Sequence, residues 1–141
     1  MKKITLLTKR FYFNGAHKMS NDTFSGPENE KAFGLCQNIH GHNYSLDVSV
    51  GGEMDQKTQC IVDLEVMKNI VKKNVILVLD HHYINDVLAK LANLKGLPIS
   101  LENLGSWIWD VLDREFKKNN IILEKIFLAE SETTSVTISR K

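Results

Sequence analysis

A run of alternating residues between His40 and Val50 constrains the fold more than any other stretch of the chain. Its even positions carry His, His, Tyr, Leu, Val and Val, whereas its odd positions carry Gly, Asn, Ser, Asp and Ser. Because successive side chains of a strand point to opposite faces, this period of two predicts a strand with one buried face. His40 and His42 therefore leave the strand on the same, core-facing side.

Two neighbouring imidazoles on one face repel each other when protonated, and each needs a partner when neutral. A shared metal ion resolves both problems, because neutral imidazole is the commonest metal ligand. The alternative is a pair of core histidines, each bonded to a backbone carbonyl. A cupin-type metal oxygenase also uses His-x-His with a nearby carboxylate, but strand parity directs the candidate, Asp47, to the opposite face.

The composition is that of a globular protein with no electrostatic signal for a polyanionic partner. The chain has 141 residues, of which 43% are apolar and 25% charged, and its net charge is +1 without a basic run. We therefore expect neither nucleic-acid nor membrane binding.

Lys9 and Arg10 interrupt the apolar start of the chain, so no signal peptide is predicted. Two cysteines favour a reducing, cytoplasmic location.

The predicted order of the main elements is strand, strand, helix, helix, strand, strand. Residues 18–35 read as a long loop, and Asp63 and Ser100 read as helix N-caps. Strands are expected over 4–13, 40–50, 121–129 and 136–140, and a short helical piece over 87–94. This order predicts a single α+β domain spanning residues 1–141, with a four-stranded antiparallel sheet and two helices on one face (ββααββ).

Two further side chains extend the metal hypothesis. If the first strand continues, His17 shares a face with Phe11 and Phe13, and three neutral histidines plus one open position make a catalytic zinc site. Cys36 lies four residues before His40. Beside a dication its thiolate would be stabilised and could act as a base, whereas most free cysteines are small buried hydrophobes.

Three acidic residues are candidates for binding or proton transfer. Asp80 precedes His81, and a carboxylate that orients an imidazole suits proton transfer, although a solvated turn is the simpler alternative. Glu130 ends an apolar strand, where a buried carboxylate would need a partner rich in donors. Glu102 lies just inside a helix N-terminus, which the helix dipole alone explains.

Several motifs recur in order along nearly the whole chain. They are Phe13-x-x-Ala16-His17, Asn29-Glu30-Lys31-x-Phe33-Gly34-x-Cys36, His40-Gly41-His42-Asn43-Tyr44, Leu79-Asp80-His81-x-x-Ile84-Asn85, Glu102-Asn103 and Glu130. Together they resemble the 6-pyruvoyl-tetrahydropterin synthase and 6-carboxy-tetrahydropterin synthase family. The resemblance implies the tunnelling fold and a homo-oligomer, a trimer or a hexamer of face-to-face rings, with active sites between subunits.

The resemblance also implies a zinc-dependent lyase that acts on 7,8-dihydroneopterin triphosphate. It implies that His17, His40 and His42 bind Zn²⁺, and that the zinc holds the hydroxylated side chain of this pterin substrate. Cys36 would then be the thiol that transfers a proton.

The remaining roles concern proton relay and pterin recognition. The resemblance implies that Asp80 and His81 form a relay pair contributed by a neighbouring subunit. It implies that Glu130 accepts two hydrogen bonds from the amino-pyrimidine edge of the pterin. Glu102 and Ser100 would complete the substrate-binding set, Ser100 standing where a threonine is common.

The two branches of the family differ in their product. Three residues separate Cys36 from His40, which looks like the bacterial carboxy enzymes of the queuosine pathway, whereas residues 29–34 look more like the pyruvoyl branch. We predict the carboxy reaction, which yields 6-carboxy-5,6,7,8-tetrahydropterin with loss of triphosphate and acetaldehyde. The alternative is 6-pyruvoyl-tetrahydropterin synthase, which only eliminates triphosphate.

Two hypotheses from other classes remain open. A non-catalytic pterin- or purine-binding protein on the same fold would keep Glu130 but would not need Cys36 together with Asp80 and His81. A zinc-stabilised assembly protein would close its site with a fourth protein ligand, for which Cys36 is the candidate.

Overall fold

A computed structural model describes residues 2–141 and contains one mixed five-stranded sheet. The strands are β1 (Leu7–His17), β2 (His40–Gly51), β3 (His82–Tyr83), β4 (Ile122–Ala129) and β5 (Ser135–Ser139). Their order across the sheet is β3-β1-β2-β4-β5, and only the β1–β3 pairing is parallel. The long central strands β1 and β2 pair in register along their whole length, from Leu7 opposite Val50 to His17 opposite His40.

Two of the helices, α2 and α5, begin at the predicted N-caps Asp63 and Ser100. The helices are α1 (Gly26–Phe33), α2 (Leu64–Val71), α3 (Leu77–Leu79), α4 (Ile84–Leu91) and α5 (Leu101–Lys117). A π-helical turn (Lys72–Ile76) joins α2 to α3 without a break. Asp63 caps α2 by accepting hydrogen bonds from the backbone of Glu65 and Val66, at 3.0 and 3.4 Å. Ser100 caps α5 by accepting from the backbone N–H of Asn103 at 3.1 Å. Among residues 2–141, none of these helices has the length and apolar character that a bilayer crossing requires.

The core lies between the inner face of the sheet and α2, α4 and α5. The parity of β2 is confirmed from Tyr44 to Val50, because Tyr44, Leu46, Val48 and Val50 are buried on that face. Helix α5 packs closely on β5, where a Cβ added to Gly105 would lie 3.0 Å from Val136. At its other end, the residue before the Ser100 cap contacts β1, because the carbonyl oxygen of Ile99 lies 2.7 Å from Nδ1 of His17.

The structure corrects the predicted architecture in two respects. The α+β class and the order of the long elements are confirmed, but the sheet has five strands and is mixed. Besides the two predicted long helices the chain contains α1 and α4, and α4 overlaps the short helical piece expected over 87–94. The extra strand β3 is only two residues long and shows no sequence periodicity. The first strand begins at Leu7 rather than at residue 4, because its pairing with β2 ends with Leu7 opposite Val50 and β2 itself ends one residue later, at Gly51.

The predicted loop over residues 18–35 contains helix α1. Its start is set by a capping box, in which Ser25 Oγ accepts from the backbone of Glu28 and the Glu28 carboxylate accepts from the backbone of Ser25. Pro27 occupies the first turn, where its missing N–H costs nothing. The helix was missed because it buries no side chain and so lacks an apolar stripe.

Candidate active site

The structure brings three predicted ligands together at one end of the sheet. In the antiparallel register, His17 on β1 lies opposite His40 on β2, and Gly15 lies opposite His42. One potential ligand atom from each histidine lies within 4.8 Å of the other two. The ring centroids are 4.5 Å apart for His17 and His40, 5.2 Å for His17 and His42, and 5.1 Å for His40 and His42.

Two of these rings have their tautomer fixed by backbone carbonyls. His17 Nδ1 lies 2.7 Å from the carbonyl oxygen of Ile99, and His40 Nδ1 lies 2.7 Å from that of Asn38. A carbonyl oxygen only accepts, so each Nδ1 must carry the proton and donate it. In the neutral ring the lone pair is then on Nε2, which is the arrangement seen when a histidine binds a metal.

His17 gives the clearest indication that the three histidines form a binding site. Its side chain is buried, and within residues 2–141 its Nε2 is the one buried side-chain nitrogen or oxygen without a hydrogen-bond partner. Burial lowers the pKa of His17, and the neighbouring His40 and His42 lower it further, so the ring stays neutral. An unpartnered buried acceptor is costly, and a set of three neutral imidazoles suits a divalent cation such as zinc.

Cys36 lies outside this ligand group. Among the described residues, the cluster of potential ligand atoms contains the three histidines and no cysteine. The Cys36 side chain is exposed on a 3₁₀ turn (Gly34–Gln37), and its carbonyl accepts from the backbone N–H of Met19 at 2.7 Å. This placement disfavours a closed site in which Cys36 is the fourth ligand, and it leaves the thiol free for other chemistry.

Glu130 lies directly beside the cluster. It follows the last residue of β4, and its Oε2 is 3.6 Å from Nε2 of His42. Both side chains line a polar cleft of about 830 Å³ that extends over the outer face of the sheet towards Tyr12. A carboxylate in such a cleft can accept hydrogen bonds from a polar ligand held next to the histidines.

Asp80 and His81 form a hydrogen-bonded pair at the edge of β1 that also pairs with β3. His81 Nδ1 lies 2.8 Å from Asp80 Oδ2, and Asp80 Oδ1 accepts from the backbone N–H of Asn14 at 2.8 Å. The Asn14 N–H, and next the His81 ring, hold the pKa of Asp80 below its usual value. His81 adopts a φ of 61°, which is rare for a residue with a side chain, and its imidazole is 81% exposed.

The N-terminus of α5 carries the other two predicted binding residues. Ser100 and Glu102 follow Ile99, whose carbonyl orients His17, so the start of this helix is adjacent to the cluster. The Ser100 hydroxyl is engaged as the helix cap, whereas Glu102 is exposed in the first turn.

Sequence reasoning missed the groups that orient the histidines. The carbonyls of Ile99 and Asn38 belong to the backbone, and no side-chain pattern indicates them. Strand parity predicts Tyr44 to be a core residue but does not indicate its contact with His42. Its ring stacks on Phe13 at 4.8 Å and meets the His42 ring edge-on at 5.5 Å, and burial raises its pKa, so it stays neutral.

Comparison with known proteins agrees with this geometry. The family model "6-pyruvoyl tetrahydropterin synthase" matches residues 6–141. A 6-pyruvoyl tetrahydrobiopterin synthase of Dictyostelium discoideum is 35% identical over 137 residues, which are 96% of each chain. The structure of a Caenorhabditis elegans 6-pyruvoyl tetrahydropterin synthase superposes with a TM-score of 0.85 at 25% identity, covering 99% of this chain and 97% of that one.

The carboxy branch is also represented among the relatives. A 6-carboxy-5,6,7,8-tetrahydropterin synthase of Haemophilus influenzae is 32% identical over 83 residues, which cover 57% of this chain and 52% of the relative. The family match, the relatives and the fold thus identify the chain as a tetrahydropterin synthase, an enzyme of the lyase class. The chain belongs to the 6-pyruvoyl tetrahydropterin synthase family.

Proposed function

We propose that the protein is a zinc-dependent lyase that eliminates triphosphate from 7,8-dihydroneopterin triphosphate and forms 6-pyruvoyl-tetrahydropterin. The observation that carries this proposal is the three-histidine cluster with the unpartnered, buried Nε2 of His17. Relatives that match nearly the whole chain bear the pyruvoyl name, whereas the carboxy relative matches little more than half of it. The pyruvoyl alternative therefore replaces the carboxy reaction as the leading assignment.

His17, His40 and His42 would hold the zinc ion. When bound, zinc acts as a Lewis acid and lowers the pKa of a hydroxyl group on the substrate. The carbonyls of Ile99 and Asn38 keep the rings of His17 and His40 in the tautomer whose Nε2 lone pair can bind a metal, so two of the ligands would be oriented before the metal binds.

Proton transfer is assigned to Cys36, with Asp80 and His81 as the relay. Cys36 is exposed and is not a member of the ligand cluster, so its sulfur is accessible to act as the base that takes a proton from the substrate side chain. The Asp80 carboxylate orients the His81 ring by accepting from its Nδ1. The imidazole faces away from its own subunit, which suits a relay that serves the site of a neighbouring subunit.

Pterin recognition is assigned to Glu130, with Glu102 and Ser100 at the start of α5. Glu130 lines the cleft next to His42 and can accept two hydrogen bonds from an amino-pyrimidine edge. This use explains why a carboxylate follows directly after an apolar strand.

The two free cysteines are in keeping with a reducing, cytoplasmic location.

The open edges of the sheet support a homo-oligomer. Strand β3 covers β1 only at Gly15 and Ala16, so residues 7–13 of β1 have no strand neighbour on that side within the described chain, and β5 forms the other edge. Unpaired edges invite pairing with another subunit, and closing a ring removes them. We expect a trimer or a hexamer. A monomer in light scattering at micromolar concentration would contradict this arrangement.

The products of the reaction test the assignment. Purified, zinc-loaded protein is incubated with 7,8-dihydroneopterin triphosphate, and triphosphate and acetaldehyde are measured together. Release of triphosphate without acetaldehyde supports the pyruvoyl reaction. Release of both in equal amounts instead assigns the carboxy reaction, which the short Cys36–His40 spacing and the Haemophilus relative favour. Release of neither refutes both.

A further inference from the structure

The helical excursion that carries Cys36 contains no fully buried side chain. This excursion (residues 26–37) comprises α1 and the following 3₁₀ turn, and neither contains a buried residue. Within Gly26–Ala32, every side chain except that of Asn29 is exposed. Its aromatic contact is the stacking of the half-buried Phe33 on Phe24, with ring centroids 6.3 Å apart. Because apolar burial in the excursion is so limited, we expect polar contacts to hold Cys36 in position relative to the histidine cluster.

The side-chain amide of Asn29 makes two of these polar contacts. Its Oδ1 accepts from the backbone N–H of Asn21 at 2.9 Å, and its Nδ2 donates to the backbone carbonyl of the same residue at 3.1 Å. The third contact joins the backbone of Met19 to the carbonyl of Cys36. All three contacts end on residues 19–21, which follow His17 directly in the chain.

The segment that receives these bonds is itself held firmly. On its other side Asn85 makes the same double contact, accepting from Lys18 N–H at 3.0 Å and donating to the Lys18 carbonyl at 3.1 Å. The backbone N–H of Asp22 donates to the carbonyl of Gly96 at 2.8 Å, which ties the segment to the loop before α5. Residues 18–22, which connect His17 to the segment before the excursion, are therefore held in place by hydrogen bonds to other parts of the protein.

We infer that Asn29 is a positioning residue, whose side-chain amide holds the Cys36-bearing excursion against the segment that follows the metal ligand His17. Both groups of the amide are needed, because one meets a donor and the other an acceptor of the same backbone residue. The motif around Asn29 thus gains a role without any contact of Asn29 with the substrate. The inference rests on the proposed function only in taking Cys36 as the residue that transfers the proton.

Two substitutions at Asn29 separate positioning from general stability. Asn29→Ala removes both contacts, whereas Asn29→Asp keeps the acceptor for Asn21 N–H and loses the donor. Asn119→Ala is the control, because it removes one exposed amide-to-carbonyl bond, to Glu115, at the far end of α5. Each protein is loaded with zinc, and its metal content and melting temperature are compared with those of the parent.

Hydrogen–deuterium exchange gives a readout that does not depend on turnover. In Asn29→Ala we expect amide exchange to become faster across residues 26–37, by roughly tenfold if two ordinary hydrogen bonds are lost, and to stay unchanged in β2 and α5. Asn29→Asp should fall between Asn29→Ala and the parent, and Asn119→Ala should leave the excursion unchanged. Unchanged exchange across residues 26–37 in Asn29→Ala overturns the inference, whether or not the proposed reaction is correct.

Steady-state kinetics tests the consequence for Cys36. In Asn29→Ala we expect kcat to fall by roughly tenfold or more while KM and zinc content change little, because the thiol is misplaced and the binding groups are not. Asn29→Asp should restore part of the loss. A kcat within about twofold of the parent overturns the inference. If the parent itself turns over no pterin triphosphate, the proposed function fails, and the exchange experiment alone decides the positioning role.

Discussion

Replacing Gly15 by alanine should destabilise the protein through one identifiable contact. Gly15 lies on β1 two residues before His17, and a Cβ added there would lie 2.7 Å from Cδ1 and 3.1 Å from Cγ1 of Ile84. Carbon atoms do not approach to 2.7 Å without displacement. Ile84 is completely buried at the start of α4, so its side chain cannot move aside into solvent.

The size of the effect follows from two opposing contributions. Overpacking a filled core costs about 1–3 kcal/mol. Replacing glycine by alanine at a compatible backbone returns about 0.4–1 kcal/mol by reducing the entropy of the unfolded chain. Gly15→Ala should therefore lower the free energy of unfolding by about 1–2 kcal/mol, which corresponds to a melting temperature about 3–8 °C lower for a chain of this size.

A double-mutant cycle assigns this loss to the contact with Ile84. Ile84→Val removes the Cδ1 atom, which is the atom that would lie 2.7 Å away, and by itself costs about 0.5–1.5 kcal/mol. In that background Gly15→Ala should cost roughly 1 kcal/mol less than in the parent, measured by urea and thermal unfolding. Gly26→Ala is the matched control, because a Cβ there meets nothing within 4 Å.

The cycle can refute the packing argument in two ways. If Gly15→Ala is as stable as the parent, the strand and α4 are not packed as described. If the loss is the same with isoleucine and with valine at position 84, the contact with Cδ1 is not its cause.

Three further predictions concern acid sensitivity, the thiol and the cap of α2. The pKa of His17 in the folded protein lies below its ordinary value of 6.5, so the unfolded chain binds the proton more tightly. The free energy of unfolding of the metal-free protein should therefore be highest above about pH 7 and decrease as the pH drops below 6.5. In denaturant titrations repeated at several pH values, the unfolding free energy of His17→Gln should depend less steeply on pH than that of the parent. Cys36→Ala should keep its zinc and lose turnover by ~10²-fold, and loss of zinc would instead make Cys36 a ligand. Asp63→Ala should lower stability by about 1 kcal/mol without changing turnover, because the N–H groups of Glu65 and Val66 lose their acceptor, and Asp63→Asn should not.

The histidine cluster could be predicted from the sequence because strand parity is a strong signal. A period of two placed His40 and His42 on the core side, and the same argument placed His17 on the face shared with Phe11 and Phe13. The antiparallel pairing that puts His17 opposite His40 then follows from two adjacent strands of matching length. The resemblance of the motifs added the identities of the other site residues.

What the sequence could not provide lies mostly in the backbone and in short elements. The carbonyls of Ile99 and Asn38 orient two histidines, but every residue has a carbonyl, so only coordinates reveal which ones point at a ring. Helix α1 has clear local signals in Ser25 and Glu28, yet it buries nothing and shows no apolar period. The two residues of β3 are too few to form any pattern.

Two asparagines illustrate a further limit. Asn29 and Asn85 lie in motifs that carry the family resemblance, but their residue type alone does not distinguish a ligand-binding role from a structural one. Only the three-dimensional structure shows that they make double contacts with the backbone of Asn21 and Lys18, respectively. Such contacts join different segments of the chain, eight residues apart for Asn29 and 67 for Asn85, so the residue pattern within one element does not reveal them.

The zinc content of histidine variants tests the central claim most directly. Purified parent protein should carry about one zinc per chain by metal analysis. His17→Ala should lose most of this metal, because it removes the buried Nε2 that has no other partner. His82→Ala is the control and should keep its zinc, since the exposed His82 ring bonds only to the carbonyl of Asp80. Full zinc occupancy in His17→Ala would contradict the three-histidine site.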